Sequence, residues 1–169
     1  MILDEVATKT VANALQRTLT DLIDLGLLAK QAHWNVTGPH FRAVHLHLDE
    51  LAATTREHAD SVAERLAALG VSPDGRASTV AAESTLPGLP AGPLADRAAV
   101  EAVTGILAAA ITGLRAGIAA TGEPDPVSQD LLIGIAADTA APLRDAVDLA
   151  CAMEMLHESS LVHDDICDG

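Results

Sequence analysis

Four side chains that could bind a metal ion lie in two pairs along one segment of the sequence. His45 and Asp49 are four positions apart, as are Asp60 and Glu64, so in a helix each pair would lie one turn apart on a single face. Asp49 and Asp60 are 11 positions apart, which is about 16 Å of helix at about 1.5 Å per residue. One ion therefore cannot bind to both pairs of the same helix.

A second copy of the chain would remove this difficulty. When a helix packs antiparallel on its own copy about a two-fold axis, the residues that face each other have numbers with a constant sum. Residues 45 and 64 add up to 109, and so do residues 49 and 60. The spacing therefore predicts two equivalent sites in a dimer. In each of them, His45 and Asp49 of one chain face Glu64 and Asp60 of the other.

His33 is the natural additional ligand, because it lies near the end of the preceding helix, beside the only tryptophan, Trp34. Two imidazoles and three carboxylates suit ferrous iron, with zinc or manganese as substitutes. A carboxylate-rich site with open positions can bind Fe(II), stabilise Fe(III) and admit an oxidant. The alternative without a metal is an alanine-rich helical dimer in which these side chains form only a solvated face.

The segments that would position the ligands have the composition of helices, with abundant Ala and Leu and apolar positions at intervals of three and four. We predict a single domain over residues 1–169, an all-α four-helix bundle with a long crossover between its second and third helices. The crossover contains a possible short helix at 79–83. Pro142 predicts a kink or break between Asp138 and Pro142. The four helices are predicted over about 4–36, 39–69, 94–120 and 127–158.

The second helix divides into three faces at about 100° per residue. Its predicted core face consists of Phe41, Val44, Leu48, Leu51, Val62, Leu66 and Leu69. Its predicted solvent face consists of Glu50, Thr54, Glu57, Ser61 and Arg65. The third face carries the four ligands interleaved with alanines, and such small residues would let another helix approach closely.

Charge and composition exclude several classes of protein. The chain has 169 residues, of which 49% are hydrophobic, and a formal net charge of −14, so disorder is excluded and nucleic acid is a disfavoured partner. We find no unbroken apolar stretch long enough to cross a bilayer and expect no association with membranes. The first ten residues lack the basic start and apolar run of a secretory signal, so we expect a cytoplasmic protein.

The ligands belong to a longer pattern of specific residue types and spacings, which covers about 35 positions. This pattern resembles the signature of the Dps family, the mini-ferritins first named as DNA-binding proteins from starved cells. It reads Lys30-x-x-His33-Trp34-Asn35-x-x-Gly38-x-x-Phe41-x-x-x-His45-x-x-x-Asp49, followed by Asp60-x-x-x-Glu64-Arg65.

The resemblance implies a ferritin-like bundle whose two-fold dimers assemble into a hollow dodecameric shell. It also implies a ferroxidase centre at each two-fold interface, formed by His33, His45 and Asp49 of one chain with Asp60 and Glu64 of the other. Members of the family oxidise Fe(II), commonly with hydrogen peroxide in preference to oxygen, and store the ferric product as a mineral. The expected function is therefore that of a ferroxidase and iron-storage protein that protects the cell from oxidative stress.

One activity of the family does not carry over. DNA binding in this family usually depends on a mobile, lysine-rich terminal tail, whereas this chain has only two lysines, Lys9 and Lys30. The segment 145–169 has no basic residue other than histidine. An acidic shell should repel a polyanion. Compaction of the nucleoid is therefore the disfavoured alternative function.

Three further residues have two interpretations each. By resemblance, Asp125 and Asp130 could line a pore for iron entry. We favour the alternative that, at the start of the last helix, they act as a cap or as a favourable charge at the helix N-terminus. Trp34 either is a redox-active neighbour of the iron or fills space between subunits.

Overall fold

The computed structural model describes residues 3–142, and the predicted bundle is confirmed there. The helices are α1 (Glu5–Asn35), α2 (Phe41–Ala68), α3 (Ala77–Glu83), α4 (Asp96–Thr121) and α5, which covers residues 126–142. The short crossover helix α3 includes the predicted segment 79–83. The remainder of the predicted last helix, residues 143–158, lies outside the described residues.

Local signals explain where α1 begins. The carboxylate of Asp4 accepts a hydrogen bond from the backbone N–H of Ala7 at 2.8 Å, so it satisfies one of the N–H groups that the first turn of a helix leaves unpaired. The helix ends at Asn35, and Gly38 follows with φ +128°. Glycine adopts this conformation readily because it has no Cβ. The end of α1 at Asn35 and the glycine at position 38 therefore define the turn after which the chain runs back as α2.

A two-stranded parallel sheet, which the sequence analysis did not predict, joins the turn after α1 to the end of the crossover. Its strands are β1 (Val36–Thr37) and β2 (Leu94–Ala95). Immediately after β2, the carboxylate of Asp96 accepts a hydrogen bond from the backbone N–H of His40 at 2.8 Å. Asp96 is buried, and this contact holds the start of α4 against the start of α2.

The crossover is also held on α1. The amide of Gln16 donates to the carbonyl of Asp74 at 2.8 Å and accepts from the N–H of the same residue at 3.0 Å. Further along the crossover, the carboxylate of Asp21 accepts from the backbone N–H and the hydroxyl of Thr85. Both ends of the segment around α3 are therefore fixed by backbone groups that would otherwise lack partners.

The hydrophobic core forms two adjoining clusters in which α1 packs against α2 and α4. Five of the seven core residues predicted on α2 are buried there: Val44, Leu48, Leu51, Val62 and Leu66. Two predictions for this helix are wrong. Phe41 is exposed, because it starts the helix beyond the end of the core, and Arg65 is largely buried against α5 instead of lying in solvent.

Of the kink or break predicted between Asp138 and Pro142, a break is absent, because the described part of α5 is helical without interruption from 126 to 142. Pro142 lacks the N–H that would donate to the carbonyl of Asp138, and a proline ring crowds that carbonyl. The preceding turns are stabilised by the burial of Ile135 and Thr139, and the hydroxyl of Thr139 donates to the carbonyl of Ile135 at 2.7 Å.

Among residues 3–142, one helix has the length and apolar composition of a membrane span, α4, with a mean hydropathy of 1.6 over its most apolar window. The sequence analysis found no such stretch. Alanines raise the mean hydropathy of α4, whereas Val103, Ile106 and Leu107 pack into the core with α1. The core helix of a soluble protein passes the same test.

Candidate metal centre

The turn between α1 and α2 brings His33 and His45 together. Their rings stack with centroids 3.6 Å apart and planes 22° apart. Nδ1 of His33 lies 2.9 Å from the backbone carbonyl oxygen of His45, and Nδ1 of His45 lies 3.0 Å from the carbonyl oxygen of His33. The two residues therefore form a reciprocal pair of side chain to backbone hydrogen bonds.

These bonds determine the tautomer of both rings. A carbonyl oxygen can only accept a hydrogen bond, so Nδ1 of each ring must carry the proton. In the neutral imidazole, Nε2 then keeps its lone pair and can bind a cation. Histidines that bind metals in proteins usually have their second nitrogen hydrogen-bonded in this way, which fixes the orientation of the ring and raises its basicity.

Asp49 supplies a carboxylate one helical turn after His45 on α2. Nζ of Lys30 lies 2.6 Å from Oδ1 of Asp49, and this hydrogen bond holds the pKa of the carboxyl below its ordinary value. Asp49 is therefore ionised at neutral pH and available to a cation that displaces Lys30.

The role of Lys30 was missed by the sequence reasoning, which quoted the residue only as part of the motif. Its Nζ also lies 5.8 Å from the ring centroid of Trp34, a distance at which a cation is attracted to the face of an indole. The spacing of Lys30 and Trp34, one helical turn, is the signal that could have placed the cation near this site.

The other two predicted ligands, Asp60 and Glu64, are exposed further along α2. A straight helix keeps them away from His45 and Asp49. Among residues 3–142, no group of three or more histidine, cysteine or acidic side chains is arranged to hold a metal ion. In one subunit, Asp60 and Glu64 therefore lie apart from His45 and Asp49 along α2, and no three of the predicted ligands are brought together for an ion.

Large apolar side chains are exposed on the same segments of α1 and α2 as the histidines. They are Leu27, Trp34, Phe41 and Leu46, which are 60%, 69%, 44% and 50% exposed. The Phe41 ring lies 4.8 Å from that of His45. Exposed apolar groups that gather in one region are typical of a surface that binds another protein.

The two candidate pore residues have different surroundings. Asp130 is exposed, whereas Asp125 is buried in an ion pair with Arg65 at 2.7 Å. Burial raises the pKa of Asp125, but hydrogen bonds from Ser128 and Arg65 outweigh this effect and hold it below its ordinary value. These contacts at the start of α5 favour the capping role of Asp125 over a role in a pore.

Comparison with known proteins identifies relatives of the whole bundle. A family model described as a ferritin-like domain matches residues 12–143. The DNA protection during starvation protein of Mycolicibacterium smegmatis is 35% identical over 136 residues, which are 80% of this chain and 74% of that protein. The fine tangled pili major subunit of Haemophilus ducreyi is 37% identical over 123 residues, which are 73% of this chain and 65% of the relative.

Solved structures agree with this result. The Dps from Microbacterium arborescens in its high iron form superimposes with a TM-score of 0.83 at 32% identity, over 88% of this chain and 97% of that one. At this level of identity and coverage, both the sequence and the fold are shared. The chain belongs to the Dps family of the ferritin-like superfamily.

Proposed function

We propose that this protein is a ferroxidase that oxidises Fe(II) with hydrogen peroxide or oxygen and stores the ferric product inside a hollow shell of its own copies. One observation carries the proposal. His33 and His45 each engage Nδ1 with the other's backbone carbonyl, so two Nε2 lone pairs are available, and the ionised carboxylate of Asp49 follows His45 by one helical turn. This donor set suits Fe(II), and also Zn(II) or Mn(II).

In the proposed reaction Fe(II) is the substrate. Each Fe(II) gives up one electron, and hydrogen peroxide accepts two as its O–O bond breaks to give two hydroxide ions. The charge of the iron rises from +2 to +3, so the anionic ligands bind the product more strongly than the reactant. Asp49 of one subunit, with Asp60 and Glu64 of a second copy, would provide this charge stabilisation.

Lys30 has a separate part in the proposal. Before iron arrives, its ammonium group neutralises Asp49 at 2.6 Å, which prevents an unpaired carboxylate at a surface that binds a second subunit. A divalent ion displaces Lys30, because it brings two charges to the carboxylate and also binds the imidazoles. The displaced ammonium group can then interact with the face of the Trp34 ring, which lies nearby. Trp34 thus remains a proposed neighbour of the iron.

We further propose that α2 packs antiparallel on α2 of a second chain. The numbers of the residues that face each other would then add up to 109. The exposed apolar side chains around His33 and His45 would be covered in this dimer, and the alanines of the ligand face would allow close approach. Arg56 is exposed between the two ligand pairs of α2, where it would offset repulsion among the carboxylates near the axis. By analogy with the family, the dimers would assemble into a dodecamer.

Stopped-flow oxidation of Fe(II), with peroxide and with oxygen, tests the proposal. The double variant Asp60→Ala/Glu64→Ala should lose rapid oxidation while its solution mass stays unchanged. The matched control is Glu50→Ala/Glu57→Ala, which removes two exposed carboxylates from the solvent face of the same helix and should oxidise iron normally. Normal oxidation by the Asp60/Glu64 variant would show that the assignment is wrong.

Co-assembly of two inactive variants tests whether each site draws on two subunits. A His45→Ala chain retains the carboxylates of α2, and an Asp60→Ala/Glu64→Ala chain retains both histidines. When they are mixed during refolding, random pairing should restore about a quarter of the sites, because each mixed dimer has one complete site. No recovery in a mixture that contains mixed dimers would show that the ligands do not act across an interface.

A further inference from the structure

The side of α2 that faces α5 carries a second arrangement of polar groups. Arg65 pairs with Asp125 near the start of α5, and two helical turns earlier on α2 His58 faces Asp138. We call this boundary the α2–α5 seam. It lies on the other side of α2 from His45 and Asp49, and none of the ligands in the proposed function is part of it.

The contact between His58 and Asp138 is not a hydrogen bond. Nε2 of His58 lies 3.5 Å from Oδ2 of Asp138, beyond the range of about 2.7–3.2 Å that is usual for an N–H···O bond. This nitrogen is inaccessible to solvent and has no hydrogen-bond partner among residues 3–142. A buried polar atom without a partner destabilises the folded protein, because it has lost its hydrogen bonds to water. The contact with Asp138 therefore leaves Nε2 of His58 without the partner that a buried nitrogen needs.

The same distance fits two ligands of one metal ion. Zinc binds imidazole nitrogen at about 2.0–2.1 Å and carboxylate oxygen at about 2.0–2.2 Å, which at the tetrahedral angle places the two ligand atoms about 3.4 Å apart. The histidine is positioned by burial, with its side chain 16% exposed, whereas Asp138 is 64% exposed. The carboxylate can turn to admit an ion from solvent, and water can occupy the remaining positions.

We propose that His58 and Asp138 form a second cation site, which takes a divalent first-row transition metal such as Zn(II) or Fe(II). The ligands are Nε2 of the imidazole and the carboxylate. With two protein ligands the site binds weakly and reversibly. A net charge of −14 raises the local concentration of cations. The proposal does not depend on the ferroxidase assignment, because the two sites share no residue.

Calorimetric titration with Zn(II) tests the proposal, in the full-length Asp60→Ala/Glu64→Ala background so that the first site is weakened. In that background, His58→Gln should remove one class of binding, about one equivalent per subunit. Asp138→Asn should weaken the same class at least about tenfold, since loss of even an outer-shell partner costs 10–100-fold. The matched control is Glu123→Gln, which changes an exposed carboxylate just before the same helix and should leave the titration unchanged.

Co(II) titration provides a second readout. Co(II) bound by an imidazole and a carboxylate should give a visible absorption band that His58→Gln removes. If the His58 variant folds poorly, Asp138→Asn still tests the proposal, because Asp138 is exposed and its substitution should not disturb the fold. Unchanged zinc stoichiometry and affinity in both variants would overturn the proposal and leave the two residues as an ion pair only.

Discussion

Among the charged contacts of residues 3–142, the ion pair between Arg65 and Asp125 should contribute most to the free energy of unfolding. Nη2 of Arg65 donates to Oδ2 of Asp125 at 2.7 Å, and its Nε donates to the hydroxyl of Ser128 at 2.9 Å. The two charged side chains are 18% and 5% exposed. We predict the effect of Arg65→Met, which keeps the apolar part of the side chain and removes its charge.

The expected loss follows from the burial of Asp125. Removing one partner of a buried ion pair costs about 3–5 kcal/mol, because the other charge stays buried without compensation. Asp125 keeps its hydrogen bond from Ser128 and lies at the start of a helix, where a negative charge is favoured. We therefore expect Arg65→Met to lower the free energy of unfolding by about 3 kcal/mol, the low end of the range.

The reverse change should cost less. In Asp125→Asn the remaining charge belongs to Arg65, whose long side chain can reach water, so the expected loss is about 1.5 kcal/mol, the lower value for a charged hydrogen bond. The double variant should be more stable than Arg65→Met alone, because it leaves no buried charge. Urea unfolding followed by circular dichroism, at matched subunit concentration, measures all three.

The pH dependence has a defined sign. The pKa of Asp125 in the folded protein lies below its ordinary value of 3.8, so its contribution to stability is present above pH 3.8 and is lost as the pH falls through the lowered pKa. Without Arg65 the pKa should rise, because burial is then less opposed. The difference between wild type and Arg65→Met should shrink as the pH falls towards 3.8. A loss below about 1 kcal/mol at neutral pH, or additive single losses, would refute this reasoning.

Three other outcomes are expected. Gly38→Ala should lower the free energy of unfolding by about 2 kcal/mol or more, because φ is +128° and a Cβ would lie 2.6 Å from the carboxylate of Asp96. The control is Gly88→Ala, whose added Cβ meets no atom within 4 Å. Equal urea midpoints for the two variants would contradict the prediction. Lys30→Gln should change the same free energy by less than about 1 kcal/mol, because its pair with Asp49 is exposed to solvent; a larger loss would show that the pair is structural. In a gel-shift assay at low salt the protein should not retard DNA, since the chain carries a net charge of −14; a salt-sensitive shift would restore the DNA-compacting alternative.

Much of the candidate site could be predicted from spacing along one helix. The four-residue intervals of His45 with Asp49 and of Asp60 with Glu64 were enough to infer two ligand pairs on one face. Within residues 3–142, one subunit does not bring three or more such side chains together for a metal ion. Whether the two sets meet across a dimer stays a prediction, since it depends on a second copy of the chain.

Other features could not be predicted because they join distant segments. Nothing in the local pattern of α2 indicates that Arg65 turns towards Asp125, 60 positions away. The helical wheel placed this residue on the solvent face, and only the position of α5 gives it a buried environment. The parallel pairing of Val36 with Leu94 is equally invisible in two-residue strands.

The sequence by itself determined the helices, their approximate ends and the buried face of α2, because these depend on contacts between residues three or four positions apart and on local stop signals such as Gly38. The tertiary structure alone decided the electrostatic state of the ligands. Lys30 meets Asp49 across 19 positions, and His33 and His45 exchange hydrogen bonds across 12. Such contacts require the two helices to be in place, since charge pairing and hydrogen bonding act only over a few ångströms in space.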